Sequence, residues 1–359
     1  MIVYIKDLSV KRNKWVDEKT FKDGIVLSQS IPGATAMQIA AYVGLKSKGI
    51  TGALLAYVGL GLPAFILMLI FSVLYGRSHD ISQVIAVLNG LQVIIVAIIA
   101  NATWTFGGEI LKSYRNIIIA SASAVLLLLK VSPFTVITGA ALTGIFFFRN
   151  TVFTLSPIPD GKQDKRVFTQ IMLLVLALLA GFAGIYLLNI KLFKLSVLML
   201  KINLFAFGGG FSSLPLMLHE IVDVRKWMDS KTFIDGIALG QVTPGPISIT
   251  ATFIGYLLFG SFGALVATVA MFTPSFLILV VVEPFFGRLK SSVVFVRASK
   301  GIASCFVGLL LFVTVKFAVD VPWDIMRILL GLAALAALAR KVDLLYIVLI
   351  GAAISVFIL

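Results

Sequence analysis

The sequence predicts an all-α integral membrane protein made of two tandem homologous helical modules in which Pro-Gly steps break the helices. Composition is the first reason: of 359 residues, 60% are hydrophobic and 13% are charged, and the mean hydropathy is +1.07. A soluble protein of this length needs far more polar surface. An internal repeat is the second reason, and a Pro-Gly step inside an apolar run of each copy is the third.

The charges also favour a membrane protein over a nucleic-acid-binding one. The formal net charge is +14, but the basic residues are scattered between apolar runs and therefore fit cytoplasmic loops that face an anionic lipid leaflet. One cysteine and two histidines leave no disulfide framework and little for a transition-metal site. No Walker Gly-Lys-Ser/Thr signature occurs, and the sequence predicts no cofactor. We expect the lipid bilayer, and no nucleic acid, among the partners.

The repeat is clearest between residues 15–33 and 227–245, where 12 of 19 positions are identical. Unrelated sequences would share about one or two. After a one-residue deletion the match continues at a shift of 211, which aligns Pro63 with Pro274. The chain is therefore predicted to be a tandem duplication of one membrane module.

Each module is predicted to hold the same series of segments. An amphipathic segment comes first, followed by an apolar segment broken at Pro-Gly, a long span after a glycine turn, a further span and two short apolar runs. The ranges in the two copies are 3–22 and 215–234, 24–46 and 236–258, 50–75 and 261–286, 84–106 and 294–318, and 115–129 with 133–148 against 324–339 with 342–359. Runs of about 15 residues are short for a bilayer that needs roughly 20.

These segments divide the chain into a first module at 1–149, a linker at 150–166 and a second module at 167–359. The linker is polar, rich in turn residues and net basic. We therefore expect it in the cytoplasm.

The two modules are not predicted to be equal. Segments 167–189 and 192–212, which open the second module, have no counterpart in the first, because Met1 aligns with Ser213. The first module is thus expected to be N-terminally incomplete. Either its start is truncated or misassigned, or the protein is asymmetric.

The strongest functional pattern lies in residues 201–255. Three consecutive glycines, Gly208, Gly209 and Gly210, end one apolar run, and residues 241–246 (Gln-Val-Thr-Pro-Gly-Pro) interrupt another. Glycine and proline are poor residues for a helix interior. In a membrane, broken backbone persists only where it is buried in protein or lines a watery cavity. Discontinuous helices of this kind build the substrate sites of many transporters.

With these motifs in view, the sequence resembles the chromate ion transporter family in its long, two-domain form. The motifs that carry the resemblance are Phe207 to Gly210 with Pro215, Glu220 with Arg225 and Trp227, Phe233 with Asp235 and Gly236, Gln241 to Pro246, Gly255, Gly263-Ala264 and Pro274 to Phe276, and in the first module Trp15, Phe21, Gln29, Pro32, Gly33, Gly44, Gly52 and Pro63. Two departures occur: the first module lacks the Phe-Gly-Gly opening, and Ala34 replaces the second proline of Pro-Gly-Pro. The resemblance implies movement of chromate across the cell membrane, usually outward as chromate resistance, with sulfate as the natural look-alike.

A chromate or sulfate site needs hydrogen-bond donors and positive potential for a tetrahedral dianion. A helix that begins at Pro246 would direct free amides and the positive end of its dipole toward Gly245. The predicted substrate-binding residues are Gly208, Gly209, Gly210, Gln241, Thr243, Pro244, Gly245, Pro246, Ser248 and Thr250, with Gln29, Pro32, Gly33 and Thr35 in the first module. The alternatives are that Pro-Gly-Pro is only a packed kink and that the triple glycine permits close helix packing.

Five charged residues are candidates for charge compensation or coupling: Lys201, Glu220, Arg225, Arg297 and Lys300. Glu220 fits either a carrier of a coupling proton or a partner of Arg225. Arg297 and Lys300 lie three residues apart and so share one helix face. They fit either a basic wall for the dianion or side chains that extend from a span end to the lipid headgroups.

The function that fits best is a secondary transporter that works by alternating access between the two modules. Chromate or sulfate is the expected substrate, and another oxyanion or small anion is the alternative. The sequence is also compatible with a homodimer. An intramembrane enzyme would need a nucleophile–base set or a metal cluster. A passive scaffold would not need duplicated broken helices.

Overall fold

The computed structural model describes residues 1–78, 81–149 and 165–358. These residues form α-helices joined by short turns, with no β-strand among them. Most of the predicted linker, 150–166, lies outside the described residues, so its side of the membrane stays a prediction.

The helices follow the predicted order in both halves. The first half contains α1 (Ile2–Lys6), α2 (Glu18–Ser30), α3 (Thr35–Ser78), α4 (Ser82–Ile110), α5 (Tyr114–Leu128) and α6 (Pro133–Phe147). The second contains α7 (Lys165–Leu188), α8 (Ile190–Phe205), α9 (Ser213–Met217), α10 (Ser230–Val242), α11 (Thr250–Val282), α12 (Phe286–Lys290), α13 (Val293–Asp320), α14 (Ile325–Ala339) and α15 (Leu344–Ile358). Within the described residues, five helices are long and apolar enough to cross a membrane, and the protein is a multi-pass membrane protein of two tandem homologous modules.

The helix before each Pro-Gly break begins at a repeated aspartate. The side chain of Asp17 accepts a hydrogen bond from the amide of Thr20 at 2.8 Å, and that of Asp229 accepts one from the amide of Thr232 at 2.7 Å. The first amides of a helix have no partner within the helix, and an aspartate cap satisfies one of them. The duplicated Asp-x-x-Thr spacing is therefore the signal that starts α2 and α10.

The chain turns back at each Pro-Gly break. A Cβ atom on Gly24 of α2 would lie 2.4 Å from the ring of Tyr42, and one on Gly236 of α10 would lie 2.4 Å from the ring of Phe253. In a continuous helix Gly24 and Tyr42 would be about 27 Å apart. Each broken segment is thus a hairpin of two short helices that returns toward the side from which it came.

A second reversal follows in α3 and α11. Gly49 and Gly260 have φ angles of +67° and +63°, which glycine adopts without steric cost. A Cβ atom on Gly44 would lie 2.2 Å from the carbonyl oxygen of Gly52, although eight helical residues span about 12 Å. α3 is therefore two antiparallel arms, residues 35–47 and 50–78, and α11 has the same form.

The two halves exchange their short helical pairs. α4 of the first half packs against α14 and α15 of the second, and α13 of the second packs against α5 and α6 of the first. Glycine permits the close approach at both seams: a Cβ atom on Gly90 would overlap the hydroxyl of Ser355, and one on Gly301 would lie 2.1 Å from the carbonyl oxygen of Ala140. Gly90 and Gly301 are aligned in the repeat, so the repeat preserves this seam.

Corresponding helices of the two halves run antiparallel. Thr103 and Thr314, which the repeat aligns, share a hydrogen bond with 3.1 Å between their Oγ1 atoms. Three residues further along α4, the ring of Phe106 lies 5.2 Å from that of Phe306, which comes eight residues before Thr314 on α13. Because α4 and α13 are both long apolar helices, their opposite directions make the two halves an inverted repeat.

We expect Gly301→Leu to destabilise the protein by about 1–3 kcal/mol, because a side chain at this position would enter the α6 backbone. The measurement is the midpoint of thermal unfolding in detergent. Gly139→Leu is the matched control, since a Cβ atom on Gly139 of α6 meets open space. Equal midpoints for the two variants would contradict the seam.

Candidate anion site at the Pro-Gly tips

The two breaks form the centre of the candidate site. We call residues 31–34 tip 1 and residues 243–246 tip 2. α2 ends at Ser30 and α10 at Val242, because the next residue of each has extended backbone angles. The prolines of the tips also lack an amide hydrogen that could continue the helix.

Helical structure restarts at Thr35 after tip 1 and, as a 3₁₀ turn, at Ile247 after tip 2. The restart after tip 2 comes one residue later than predicted, since Pro246 itself is extended with ψ 149°. Each tip therefore meets the start of a helix, where amides lack intrahelical partners and the helix dipole is positive.

The triple glycine lies between the two tips. A Cβ atom on Gly209 would lie 3.3 Å from Oγ1 of Thr35, and one on Gly210 would lie 3.4 Å from the amide nitrogen of Ile247 and 3.6 Å from Oγ of Ser248. The structure thus brings together predicted residues from three distant segments. These distances also agree with the close-packing interpretation of the glycines.

The backbone of this glycine segment requires glycine. Gly208 and Gly209 both have φ angles of +95°, which side-chain-bearing residues rarely adopt. Gly208 packs against the ring of Phe306 on α13. Just before it, the carbonyl oxygen of Ala206 accepts a hydrogen bond from the amide of Gly33 in tip 1 at 2.9 Å.

Each tip is seated on the proline-containing helix of the other half. A Cβ atom on Gly33 would lie 2.1 Å from Cβ of Ser275, the residue after Pro274 in α11. One on Gly245 would lie 2.5 Å from Cβ of Ala64, the residue after Pro63 in α3. The duplicated glycine of Pro-Gly is therefore explained by a close approach between the halves.

A polar network surrounds tip 1. The Nε2 atom of Gln38 donates to the carbonyl oxygen of Pro32 at 2.7 Å and to that of Ser275 at 3.3 Å. The hydroxyl of Tyr57 lies 2.6 Å from that of Ser275 and 2.9 Å from the carbonyl oxygen of Phe272. The sequence prediction missed Gln38 and Tyr57. A polar amide within an apolar run was the available signal for Gln38.

Four buried polar side chains near the tips have atoms without a hydrogen-bond partner in the described part of the chain. They are Oγ of Ser28, Oε1 of Gln38, both amide atoms of Asn203 and Nε2 of Gln241. A buried polar group without a partner costs about 1–3 kcal/mol. Such groups are typical of a place that holds water or a ligand. Of the four residues, only Gln241 was predicted.

Other predicted residues have different surroundings. The hydroxyl of Thr243 donates to the carbonyl oxygen of Gly240, and that of Thr250 donates to the carbonyl oxygen of Ile247, each at 2.8 Å. These two hydroxyl hydrogens are therefore used within the backbone. Gln29, Gly208 and Pro244 are exposed, Pro32 and Gly33 are buried, and Thr35, Gly245 and Pro246 are half-buried.

Three of the predicted charges form one cluster. Nζ of Lys201 lies 3.0 Å from Glu220, and a terminal nitrogen of Arg225 lies 3.3 Å from the same carboxylate. Lys201 also lies 3.7 Å from the ring centroid of Phe134. Glu220 is buried, so two cations compensate its charge.

Arg297 and Lys300, both on α13, lie beside the C-terminal end of α6. Arg297 donates to the carbonyl oxygen of Arg149 at 2.5 Å, and Nζ of Lys300 lies 5.7 Å from the ring centroid of Phe148. Lys300 precedes Phe306, where the triple glycine packs, by about 9 Å along α13. The contacts of both residues therefore lie away from the tips.

The model of the chromate transporter family matches residues 1–145 and 193–356 of the chain. An uncharacterised transporter of Methanocaldococcus jannaschii is 40% identical over 100% of this chain and 89% of its own length. Chromate transport proteins of Cupriavidus metallidurans and Pseudomonas aeruginosa are each 28% identical, over 92% and 91% of this chain and 80% and 78% of their own lengths. No solved structure matched the chain.

Both halves of the chain are matched by one family model, and the relatives align with nearly all of it. The tips, the triple glycine and the inverted helices lie within the matched regions. This chain is a membrane transport protein and not an enzyme, and it belongs to the chromate transporter family.

Proposed function

We propose that this protein carries chromate outward across the cell membrane, with sulfate as the competing oxyanion. The proposed substrate is inferred from the two chromate transport proteins that resemble this chain over most of its length. The observation that best supports an anion is the meeting of the triple glycine with both tips, since the starts of two helices converge there. The amide nitrogens of Asn203 and Gln241, on segments next to these motifs, are buried donors without a partner in the described residues. Another oxyanion or small anion is the alternative substrate.

A site made of helix starts and amide groups suits a dianion that must also be released. Each helix start offers directed N–H donors and about half a positive charge. A lysine or arginine in the site would add a full charge and bind more firmly. The contacts of Lys201, Arg225, Arg297 and Lys300 with other groups support a site without such a cation.

The inverted repeat supports alternating access, in which each half takes the conformation of the other when the site opens to the opposite side. Because the halves exchange their short helices, we propose that the modules 1–149 and 167–359 do not move as rigid units. The hairpins that carry the tips would slide on α3 and α11 instead. Gly33 and Gly245 leave these contacts free of side chains that would resist sliding.

We further propose that lipid covers α7. None of its most apolar 18-residue window, residues 171–188, is buried in the protein. A helix of this kind needs an apolar partner. A homodimer that pairs α7 helices is the alternative. The net basic linker that precedes α7 supports a cytoplasmic position for residues 150–166 in the cell membrane.

We expect saturable uptake of labelled chromate into proteoliposomes that contain the 359-residue chain, with inhibition by sulfate. The measurement is initial flux against chromate concentration. Empty liposomes are the control. If the protein carries sulfate but not chromate, the substrate is sulfate. If it carries neither anion, the proposed function is wrong.

We expect Gln241→Leu to raise the KM for chromate about tenfold while the unfolding midpoint does not fall. The unpartnered Nε2 of Gln241 makes no hydrogen bond that the variant would lose in the empty protein, whereas a bond to an anion contributes about 1.5–3 kcal/mol. Gln29→Leu, the exposed counterpart in the repeat, is the matched control. An unchanged KM for Gln241→Leu would remove this amide from the site.

We expect Gly245→Leu to reduce chromate flux at least tenfold, because a side chain there would overlap Ala64 of α3 and displace tip 2. Membrane insertion should persist, which a protease-accessibility assay on the same vesicles would check. Gly59→Leu is the control, since its Cβ position is open. Wild-type flux in Gly245→Leu would show that transport does not depend on this contact.

A further inference from the structure

Asp235 is a buried carboxylate held by neutral groups. It lies on α10, a little more than two turns before tip 2, and is 2% exposed. Nε2 of Gln92, from α4, donates to its Oδ1 atom at 2.6 Å, and the hydroxyl of Tyr75, from α3, donates to its Oδ2 atom at 3.1 Å. Within the described ranges, no lysine, arginine or histidine nitrogen forms an ion pair with it.

Another buried carboxylate is compensated differently. Glu220 is paired with Lys201 and Arg225. Among the residues that the structure describes, Asp235 has no such cation in contact, although burial makes an ionised carboxylate costly. A buried acid that lacks a cation is the kind of group that exchanges a proton during function.

The fold does not require this arrangement. The repeat aligns Asp235 with Asp23, which is half-exposed, and aligns Gln92 with Ala303 and Tyr75 with Phe286. The first half therefore builds the same hairpin without a buried carboxylate or its donors. A purely structural role would be needed in both halves, so the single occurrence points to function.

The helices packed on α10 carry few other ionisable groups toward Asp235. α3 contributes Tyr75, and the start of α10 itself contributes Lys231 and Asp229. Other ionisable groups of the elements that contact α10 have different contacts or surroundings. Lys316 of α13 is bonded to Asp223 of the turn before α10, and Asp320 of α13 to Ser230. In the same turn, Glu220 is paired with Lys201 and Arg225, and His219 lies beside these charges. Tyr256 of α11 approaches Gly76, Glu109 lies near the far end of α4, and Tyr346 of α15 is exposed.

We propose that Asp235 binds one proton together with the transported anion. The inference rests on the proposed function of the same site. The ionised carboxylate takes a proton at Oδ2, the hydroxyl of Tyr75 then accepts instead of donating, and the proton leaves again when the anion is released. Tyr75 is only partly buried, and its hydroxyl is the less buried of the two partners of the carboxylate.

Electrostatics gives the direction of the coupling. Asp235 lies about 12 Å along α10 from Thr243 of tip 2. At this distance an ionised carboxylate repels a dianion at the tips, and its protonation favours anion binding. A dianion that moves with one proton still carries a net negative charge. A membrane potential that is negative inside therefore drives the pair outward.

The first test measures the KM for labelled chromate in proteoliposomes with equal pH on both sides, between about pH 5.5 and 8. Because chromate itself takes up a proton in the acidic part of this range, the KM is expressed as the concentration of the dianion. We expect the wild-type KM to rise about tenfold across the range and the KM of Asp235→Asn to stay low and constant. Asp23→Asn, the repeat counterpart, should retain the wild-type dependence. Wild-type pH dependence in Asp235→Asn would overturn the inference.

Two further variants cover the case in which Asp235→Asn does not fold. Gln92→Leu and Tyr75→Phe each remove one donor from the ionised carboxylate. Each should move the midpoint of the KM dependence to higher pH. Unchanged midpoints in both variants would count against Asp235 as the titrating group.

A second readout separates this inference from the proposed function. Infrared difference spectra recorded against pH follow the carbonyl band of the protonated Asp235 carboxyl group. The Asp235→Asn variant has no such carboxyl group and serves as the control. We expect chromate to move the midpoint of this band to higher pH, even if no flux occurs. If chromate shifts this midpoint but the wild-type protein shows no chromate flux, the proposed transport function is wrong and proton binding by Asp235 still stands. A missing band, or one that chromate does not affect, would overturn proton binding by Asp235.

Discussion

The seating of each Pro-Gly tip on the proline-containing helix of the other half is the constraint on which the structure depends. Gly33 touches Ser275, and Gly245 touches Ala64, at distances that leave no space for a side chain. Both contacts join residues more than 180 positions apart. They position the helix starts after both tips beside the triple glycine, and the candidate site follows from that position.

The same constraint explains why glycine recurs along the helices. The exchange of α5–α6 and α14–α15 brings Gly90 against the side chain of Ser355 and Gly301 against the backbone of α6. Lipid offers little hydrophobic force between helices, so close packing of small residues stabilises such contacts. Several polar groups with buried, unpartnered atoms belong to segments next to the tips. The backbone is interrupted there, and water or a ligand is able to reach them.

The sequence predicted the local features of this fold well. Pro-Gly breaks and glycine turns are set by neighbouring residues, and the repeat made both of them visible twice. The reversal at the tips was not predictable, because a broken helix has the same sequence whether the chain crosses the membrane or turns back. The contact of Gly24 with Tyr42 decides between these two possibilities. The direction of the repeat likewise needed the contact of Thr103 with Thr314.

Within the site, the repeat predicts equivalent roles for aligned residues, and the structure gives them different surroundings. Gln29 and Gln241 occupy equivalent positions, yet one is exposed and the other has a buried amide without a partner. The aligned sequences around the two glutamines give no sign of this difference. Asp235 shows the same limit, since its donors Gln92 and Tyr75 come from the first half and have apolar counterparts in the second.

The exchanged short helices also determine when the chain is able to complete its fold. α4 finds its partners in α14 and α15, which are the last helices described. During synthesis the seam at Gly90 therefore stays open until α14 and α15 have been made. Until then, the face of α4 that packs against α14 and α15 has no protein partner from the second half. Quality control that recognises exposed small-residue seams would act on this protein before α14 and α15 are in place.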